Sequence, residues 1–373
     1  MDEGSDRIAV FVSFSGAGGV ERMVVNLTRG WTALGRSVDL LLVRRAGPHL
    51  ARLPAGARQL QMGHGHALTA IPALARYLSR ERPRALLAVK ERAGRAAVLA
   101  RALAGTNTPI LLRLGTHLST AMAHKSAAQR WLRYAPIRLL YPRIEGIIAV
   151  SQGVAEDTIE IARLPRERVL VIPNPVITPE LRHQAAAPCP HPWLSEQRAP
   201  VIIGSGRLER QKDFPTLLRA FARLRQTRDC RLIILGEGRS RAELVALAAE
   251  LGVATDLDMP GYQDNPYAFV ARASLFVLSS AWEGSPNVLT EAMALGTPVV
   301  ATDCPSGPAE LLDHGRHGPL VPVGDARALA QAMAATLDDP PHAERLRAAV
   351  AAYEQPVSAR RYLEAMTARP CAG

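Results

Sequence analysis

Two acidic residues, Glu283 and Glu291, stand eight positions apart in the segment Ser280–Thr302, where an apolar strand pattern gives way to a helical one. Pro286 falls where a first helical residue is expected and Gly296 where a C-terminal cap is expected. Eight helical positions would turn the two carboxylates about 80° apart. Here Glu283 is placed on the loop before the helix and Glu291 just inside it, so both can reach one ligand. The N–H groups of Gly284, Ser285 and a first turn formed by Asn287, Val288 and Leu289, together with the positive end of the helix dipole, offer a seat for an anion such as a diphosphate. An ordinary loop-to-helix junction with capping acids is the alternative.

A second segment, Gly204-Ser205-Gly206-Arg207-Leu208-Glu209-Arg210-Gln211-Lys212-Asp213-Phe214, follows a strand pattern and sets Arg207 and Lys212 at the same predicted sheet edge. Arg and Lys are natural clamps for a diphosphate leaving group. Lys212 is also one of only three lysines in the chain, with Lys90 and Lys125, against a background of 45 Lys+Arg. The alternative is a pair of surface charges near a helix start.

The elements that would position these groups alternate strand and helix twice over. In the first half, strands are predicted at 7–12, 37–43, 85–89, 109–112, 144–150 and 169–172, with helices at 18–34, 66–82, 94–104, 124–141 and 151–163. The prolines at 173, 175, 179, 188, 190, 192 and 200 then read as a stiff, extended connection. Strands at 201–204, 231–235, 275–278 and 298–302 follow, with helices at 215–228, 239–251, 265–272 and 287–295, and terminal helices over 325–369 broken by Pro340-Pro341 and Pro356. The pattern predicts an α/β protein of two doubly wound, mostly parallel sheets, with ligands at the carboxyl ends of the strands in a cleft between two lobes. The expected boundaries are 1–175, 176–355 and a C-terminal helix at 356–373 that packs back on the first domain.

A length of 373 residues suits two such domains, and 48% hydrophobic with 21% charged residues is a globular composition. No run approaches the roughly 18 apolar residues of a membrane span, and an acidic start lacks the basic n-region of a secretory signal, so a cytoplasmic protein is expected. Cys189, Cys230, Cys304 and Cys371 form no C-x-x-C pair and read as free thiols. No Asp-x-Asp stands at a strand end, and Asp338-Asp339 reads as a helix end, so no metal or other cofactor is expected. Residues 1–175 hold 25 Lys+Arg against 12 Asp+Glu, a net +13, whereas residues 176–373 hold 20 against 22. A basic half suits a polyanion, either nucleic acid or an anionic membrane face, unless Arg merely populates solvated helix faces.

The stretch from Glu283 to Glu291 resembles the E-x7-E motif of the retaining group 1 glycosyltransferases, and Gly206-Arg207-Leu208 with Lys212-Asp213 is similar to their G-R-L-x-x-x-K-D segment. Thr302-Asp303-Cys304-Pro305-Ser306-Gly307-Pro308-Ala309-Glu310 and Gly318–Asp325 extend the similarity across most of 201–335. That resemblance implies a GT-B fold of two Rossmann-like domains. It also implies that Arg207 and Lys212 hold the donor diphosphate, Glu283 touches hydroxyls of the transferred sugar and Glu291 binds the ribose hydroxyls. Gly236, in Gly236-Glu237-Gly238, and Tyr262, in Pro260-Gly261-Tyr262, match positions that wrap the nucleoside base. Ser15-Gly16-Ala17-Gly18-Gly19-Val20-Glu21 resembles the family's glycine loop, with Gly18 and Gly19 near the donor phosphate. His117, after a predicted strand, matches a polar position near the donor sugar and β-phosphate.

The implied activity is metal-independent, retaining transfer of a hexose or N-acetylhexosamine from a nucleotide diphosphate sugar, UDP-linked as the first choice. The implied acceptor is a glycan or lipid-linked molecule of bacterial surface polysaccharide or lipopolysaccharide synthesis, with peripheral docking on the inner membrane face and no nucleic-acid partner. Two other classes stay open. A nicotinamide oxidoreductase needs a full G-x-G-x-x-G, whose last glycine is replaced here by Glu21. A non-catalytic nucleotide-sugar or nucleic-acid binder would also explain the basic half, but it has little need of Glu283 and Lys212 together.

Overall fold

The computed structural model describes residues 5–16, 18–63, 65–196 and 198–368. Ala17 of the glycine loop and Cys371 lie outside the described residues. The chain divides into two compact units, one of residues up to Val176 together with those from Glu354 onward, the other Ile177–Tyr353.

The first unit is built on seven parallel strands: β1 (Ser5–Ser15), β2 (Val38–Ala46), β3 (Ala57–Gln61), β4 (Pro83–Val89), β5 (Ile110–Leu114), β6 (Gly146–Ala149) and β7 (Val169–Val171), in the order β3-β2-β1-β4-β5-β6-β7. Side chains alternate across β1, so Ala9 and Phe11 enter one core while Ile8, Val10, Val12 and Phe14 enter the other. A sheet covered on both faces produces such unbroken apolar strands. The helix Gln355–Thr367 closes the second face: Ala359, Tyr362 and Met366 join that core, and the Trp31 indole donates to the carbonyl of Ala359 at 2.8 Å.

The second unit carries six parallel strands, β8 (Val201–Ser205), β9 (Arg231–Leu235), β10 (Leu257–Gly261), β11 (Leu275–Leu278), β12 (Val299–Thr302) and β13 (Leu320–Val321), ordered β10-β9-β8-β11-β12-β13. In each sheet the strand order reverses once, between β1 and β4 and between β8 and β11. Crevices form at such reversals because successive crossovers leave to opposite faces.

Several expectations are corrected. The proline-rich stretch is not extended throughout: it carries helices Pro179–Ala186 and Pro192–Glu196, with Pro179 and Pro192 in first turns, where a missing N–H costs nothing. Pro356 stands in the first turn of helix Gln355–Thr367, whose expected start was residue 356. The segment 66–82 begins as a short 3-10 turn, Ala67–Ala70, before the helix Ile71–Glu81. Strands β3, β10 and β13 were not anticipated.

Candidate active site

The loops leaving β8 and β11 meet at the reversal point of the second sheet. Lys212 Nζ lies 2.6 Å from Glu283 Oε1, and both side chains are largely buried. The same oxygen accepts from Ser280 Oγ at 2.8 Å. Backbone contacts tie the loops together: Ala281 N–H donates to the Gln211 carbonyl at 2.8 Å, Ser279 Oγ to the Lys212 carbonyl at 2.8 Å, and Gln211 Nε2 to the Trp282 carbonyl at 3.0 Å. Thr302 Oγ1 at the end of β12 secures the Ser280 carbonyl at 2.6 Å. Beneath them, burial and the Glu283 carboxylate push the Cys304 thiol up to about 12, so it stays protonated.

Glycines set how closely the strand-end loops approach. Gly206 has φ 155°, and a methyl group there would sit 2.8 Å from Lys212 Cε, so its absence makes room for the lysine stem. Gly236 has φ 137°, a conformation reserved for glycine, and a methyl there would run into the carbonyl oxygen of Gly206. Gly206 N–H in turn donates to Leu235 O at 2.9 Å, and Leu208 N–H to Glu237 O at 3.0 Å. The loop after β8 is therefore seated on the loop after β9.

The helix Asn287–Leu295 has the expected bounds, with Pro286 as its N-cap (φ −76°, ψ 91°) and not its first helical residue, and it ends at Gly296 in the left-handed region. Glu291 consequently lies in its second turn, buried. Gly284, Ser285 and Val288 N–H groups have no protein partner among the described residues. Leu289 departs from the expectation: its N–H is taken by the Pro286 carbonyl at 2.9 Å and its side chain is fully buried, so it has no donor to offer an anion. Arg207 is 74% exposed, 3.8 Å from Glu209, and does not join the Lys212–Glu283 contact. Tyr262, just past β10, is half-exposed.

In the first unit a cavity of about 520 Å³ opens at the strand ends, lined by Ser13, Arg44, Lys90, Arg92, Arg113 and Asp157 among others. Lys90 follows β4 with φ 78°, ψ 154°, a backbone region that only glycine adopts without strain, and its ammonium lies 3.9 Å from the buried Glu21. Its rarity as a lysine was the one signal available in the sequence. Glu21 folds over Gly18, the N-cap of helix Gly19–Ala33. Arg113 is fully buried, its guanidinium bonded to Asn174 at 2.8 Å, and burial draws its pKa down. His117 caps the short helix Leu118–Ala121. Its Nδ1 contacts Thr120 Oγ1 at 3.0 Å and Ser119 Oγ at 3.2 Å. Asp157, which sequence reasoning missed, accepts Leu118 N–H at 2.6 Å and fixes this turn. Among the described residues no group of His, Cys, Asp and Glu is arranged to hold a metal ion.

Two parallel α/β units, the second with a cation and a carboxylate paired at its strand-order reversal, define a GT-B architecture. The model of glycosyl transferases group 1 matches residues 191–353, and that of glycosyltransferase family 4 matches residues 17–179. The lipopolysaccharide core biosynthesis glycosyltransferase LpsE of Rhizobium meliloti is 30% identical over 86% of both chains. The chain belongs to the group 1, family 4 glycosyltransferases. It is also 32% identical over 203 residues to the N-acetylgalactosamine-N,N'-diacetylbacillosaminyl-diphospho-undecaprenol 4-alpha-N-acetylgalactosaminyltransferase of Campylobacter jejuni, a match spanning about half of that relative (53%). Among solved structures, HepE of Anabaena in complex with UDP-glucose aligns with a TM-score of 0.76 at 19% identity, covering 97% of this chain and 99% of that one. A glycosyltransferase from Rickettsia africae aligns at 0.77 and 17%, covering 96% and 97%.

Proposed function

We propose that this chain is a retaining, metal-independent glycosyltransferase that moves a hexose or N-acetylhexosamine from a UDP-linked donor to a glycan or lipid-linked acceptor in bacterial surface polysaccharide or lipopolysaccharide synthesis, working at the cytoplasmic face of the membrane. The observation that carries the reading is the Lys212–Glu283 contact of 2.6 Å at the β8/β11 reversal, beside the open N–H groups ahead of helix Asn287–Leu295. An ammonium and a helix N-terminus at one place stabilise a departing diphosphate. The names of LpsE and of the Campylobacter relative support a surface-glycan acceptor, and the UDP-glucose bound to HepE supports the donor.

In this reading Lys212 and the exposed Arg207 take the diphosphate, Glu283 the sugar hydroxyls and Glu291 the ribose. Gly236 and Tyr262 border the base, and Gly18 and Gly19 let backbone approach the phosphate. His117, whose Nδ1 contacts the Ser119 and Thr120 hydroxyls and lies 3.6 Å from Asp157 Oδ1, stabilises the charge that develops on the leaving phosphate. Retention follows from front-face attack. The C1–phosphate bond breaks as the acceptor oxygen bonds to C1, and the acceptor's proton passes to the departing phosphate oxygen.

The test uses purified protein with labelled UDP-hexose and UDP-N-acetylhexosamine, in chelator, with the product anomer read by NMR. Release of UDP with an α-linked product, lost in Lys212→Ala, is the expected result. A donor that raises the melting temperature yet is never consumed, with or without acceptor, would leave a binding protein and defeat the proposal.

A further inference from the structure

The helix Ala127–Leu140 presents its apolar residues to solvent. Trp131, Leu132 and Leu139 are 66%, 70% and 62% exposed. At about 100° per residue they share one side of the helix with Ala128 and Ala135. The opposite side anchors the helix through buried Ile137. Polar side chains are drawn inward: the Arg138 guanidinium donates to the Ile161 carbonyl at 2.9 Å, and Arg133 pairs with Glu91. This arrangement reverses that of an ordinary surface helix, in which the apolar stripe faces the core.

Charge says what covers the stripe. Lys125 just ahead of the helix and Arg143 just past its end are exposed. From residue 92 through residue 144 the sequence holds nine Lys and Arg and no Asp or Glu. A symmetric second copy docked here would bring this basic segment, which holds no carboxylate from residue 92 through residue 144, against itself, whereas anionic headgroups would pair with it. An apolar ridge holding a Trp and flanked by basic residues fits the boundary between acyl chains and anionic headgroups.

We infer that helix Ala127–Leu140 is the membrane-docking face of the protein. Trp131, Leu132 and Leu139 enter the acyl boundary of an anionic bilayer, while Lys125 and Arg143, just beyond its two ends, engage lipid phosphates. This deepens the reading of a membrane-associated transferase by naming its contact surface, yet it uses no residue of the donor site, so the two can fail separately.

The full-length protein is floated with vesicles of phosphatidylcholine alone and of phosphatidylcholine with phosphatidylglycerol. Binding to the anionic vesicles only is expected. Brominated lipid should quench a share of tryptophan fluorescence that disappears in Trp131→Phe. Neutralising Lys125 and Arg143 to Gln should weaken partitioning roughly 25-fold, at about fivefold, or ~1 kcal/mol, per basic residue. Leu132→Ser with Leu139→Ser should abolish it. Donor hydrolysis in solution should be unchanged in these variants, which also certifies their fold. Absence of flotation with anionic vesicles, or equal binding by the Gln variant, overturns the inference. So does a wild-type dimer that Leu132→Ser with Leu139→Ser dissociates, since the face would then lie between copies.

Discussion

Replacing Lys212 by Met keeps most of the side-chain volume over Gly206 and removes only the charge. In the empty protein Glu283 Oε1 would lose its ammonium at 2.6 Å and keep the Ser280 hydroxyl at 2.8 Å. A buried carboxylate stripped of one partner costs about 1–3 kcal/mol of stability, which urea unfolding would register. Under the proposed function the same ammonium faces a diphosphate gaining charge during transfer, and loss of a preorganised donor at such a place would lower kcat by roughly 100- to 1000-fold, about 2.7–4 kcal/mol. The two effects separate in Lys212→Met combined with Glu283→Gln: removing the carboxylate's charge should recover much of the stability and none of the rate, a non-additivity expected of groups in contact. Initial rates of UDP release at saturating donor, with kcat and KM resolved, are the assay. If Lys212→Met keeps kcat within about tenfold of wild type, a loss under ~1.4 kcal/mol, the ammonium is a structural counter-ion to Glu283 and the clamp is elsewhere.

Gly236→Ala should lower the urea midpoint by the equivalent of at least about 1–3 kcal/mol, because the residue is strained at φ 137° and its methyl meets the Gly206 carbonyl. Burial would raise the Asp39 carboxyl, but hydrogen bonds from Arg58, Tyr77 and Arg7 outweigh it and hold the group below the ordinary carboxylate range. Since the folded value lies below the unfolded one, that stabilisation is complete above the unfolded value and is lost as pH falls through the folded one. Wild-type stability should therefore drop more steeply than that of Asp39→Asn below about pH 4, as followed by urea titration at each pH. Cys304, pushed up to about 12, and Cys230, pushed up to about 11, should resist iodoacetamide at neutral pH while half-buried Cys189 reacts, as peptide mapping by mass spectrometry would show.

What the sequence disclosed follows from burial. Strands β9 and β11 and helix Asn287–Leu295 were placed residue for residue because the strands are apolar on both faces and the helix ends at a glycine that only the left-handed region explains. Strand β3, Ala-Arg-Gln-Leu-Gln, buries only Ala57 and owes its existence to pairing with β2 at the sheet edge. Strand β10 contains Pro260 and Gly261, residues that argue against a central strand and are tolerated because it too lies at an edge. Within the candidate site, Lys212 and Glu283 were legible from residue type and spacing. Their shared floor of Ser280, Thr302 and Cys304 was not, since it depends on β11 and β12 lying side by side. Asp157 was missed for the same reason: it acts on the turn at Leu118 from a helix that begins more than thirty residues later.

The three lysines are best understood by what arginine could not do in their place. Lys212 threads a narrow stem over the bare α-carbon of Gly206 to put one compact charge on one carboxylate oxygen, where a methyl on Gly206 would crowd the stem. Lys90 holds a glycine-like backbone at the end of β4, at the rim of the first unit's cavity and opposite Glu21. Such strain persists only where the surrounding structure over-determines it, and such sites cluster where ligands bind. Lys125 precedes the solvent-facing helix, where a flexible stem can carry its charge to a headgroup while the neighbouring Trp131 and Leu132 sit deeper. Arginine supplies charge over the rest of the surface, whereas Lys90 directly follows β4 and Lys212 closes the short 3-10 turn Arg210–Lys212 in the loop after β8, both on the carboxyl side of a sheet, where a doubly wound fold keeps its ligands.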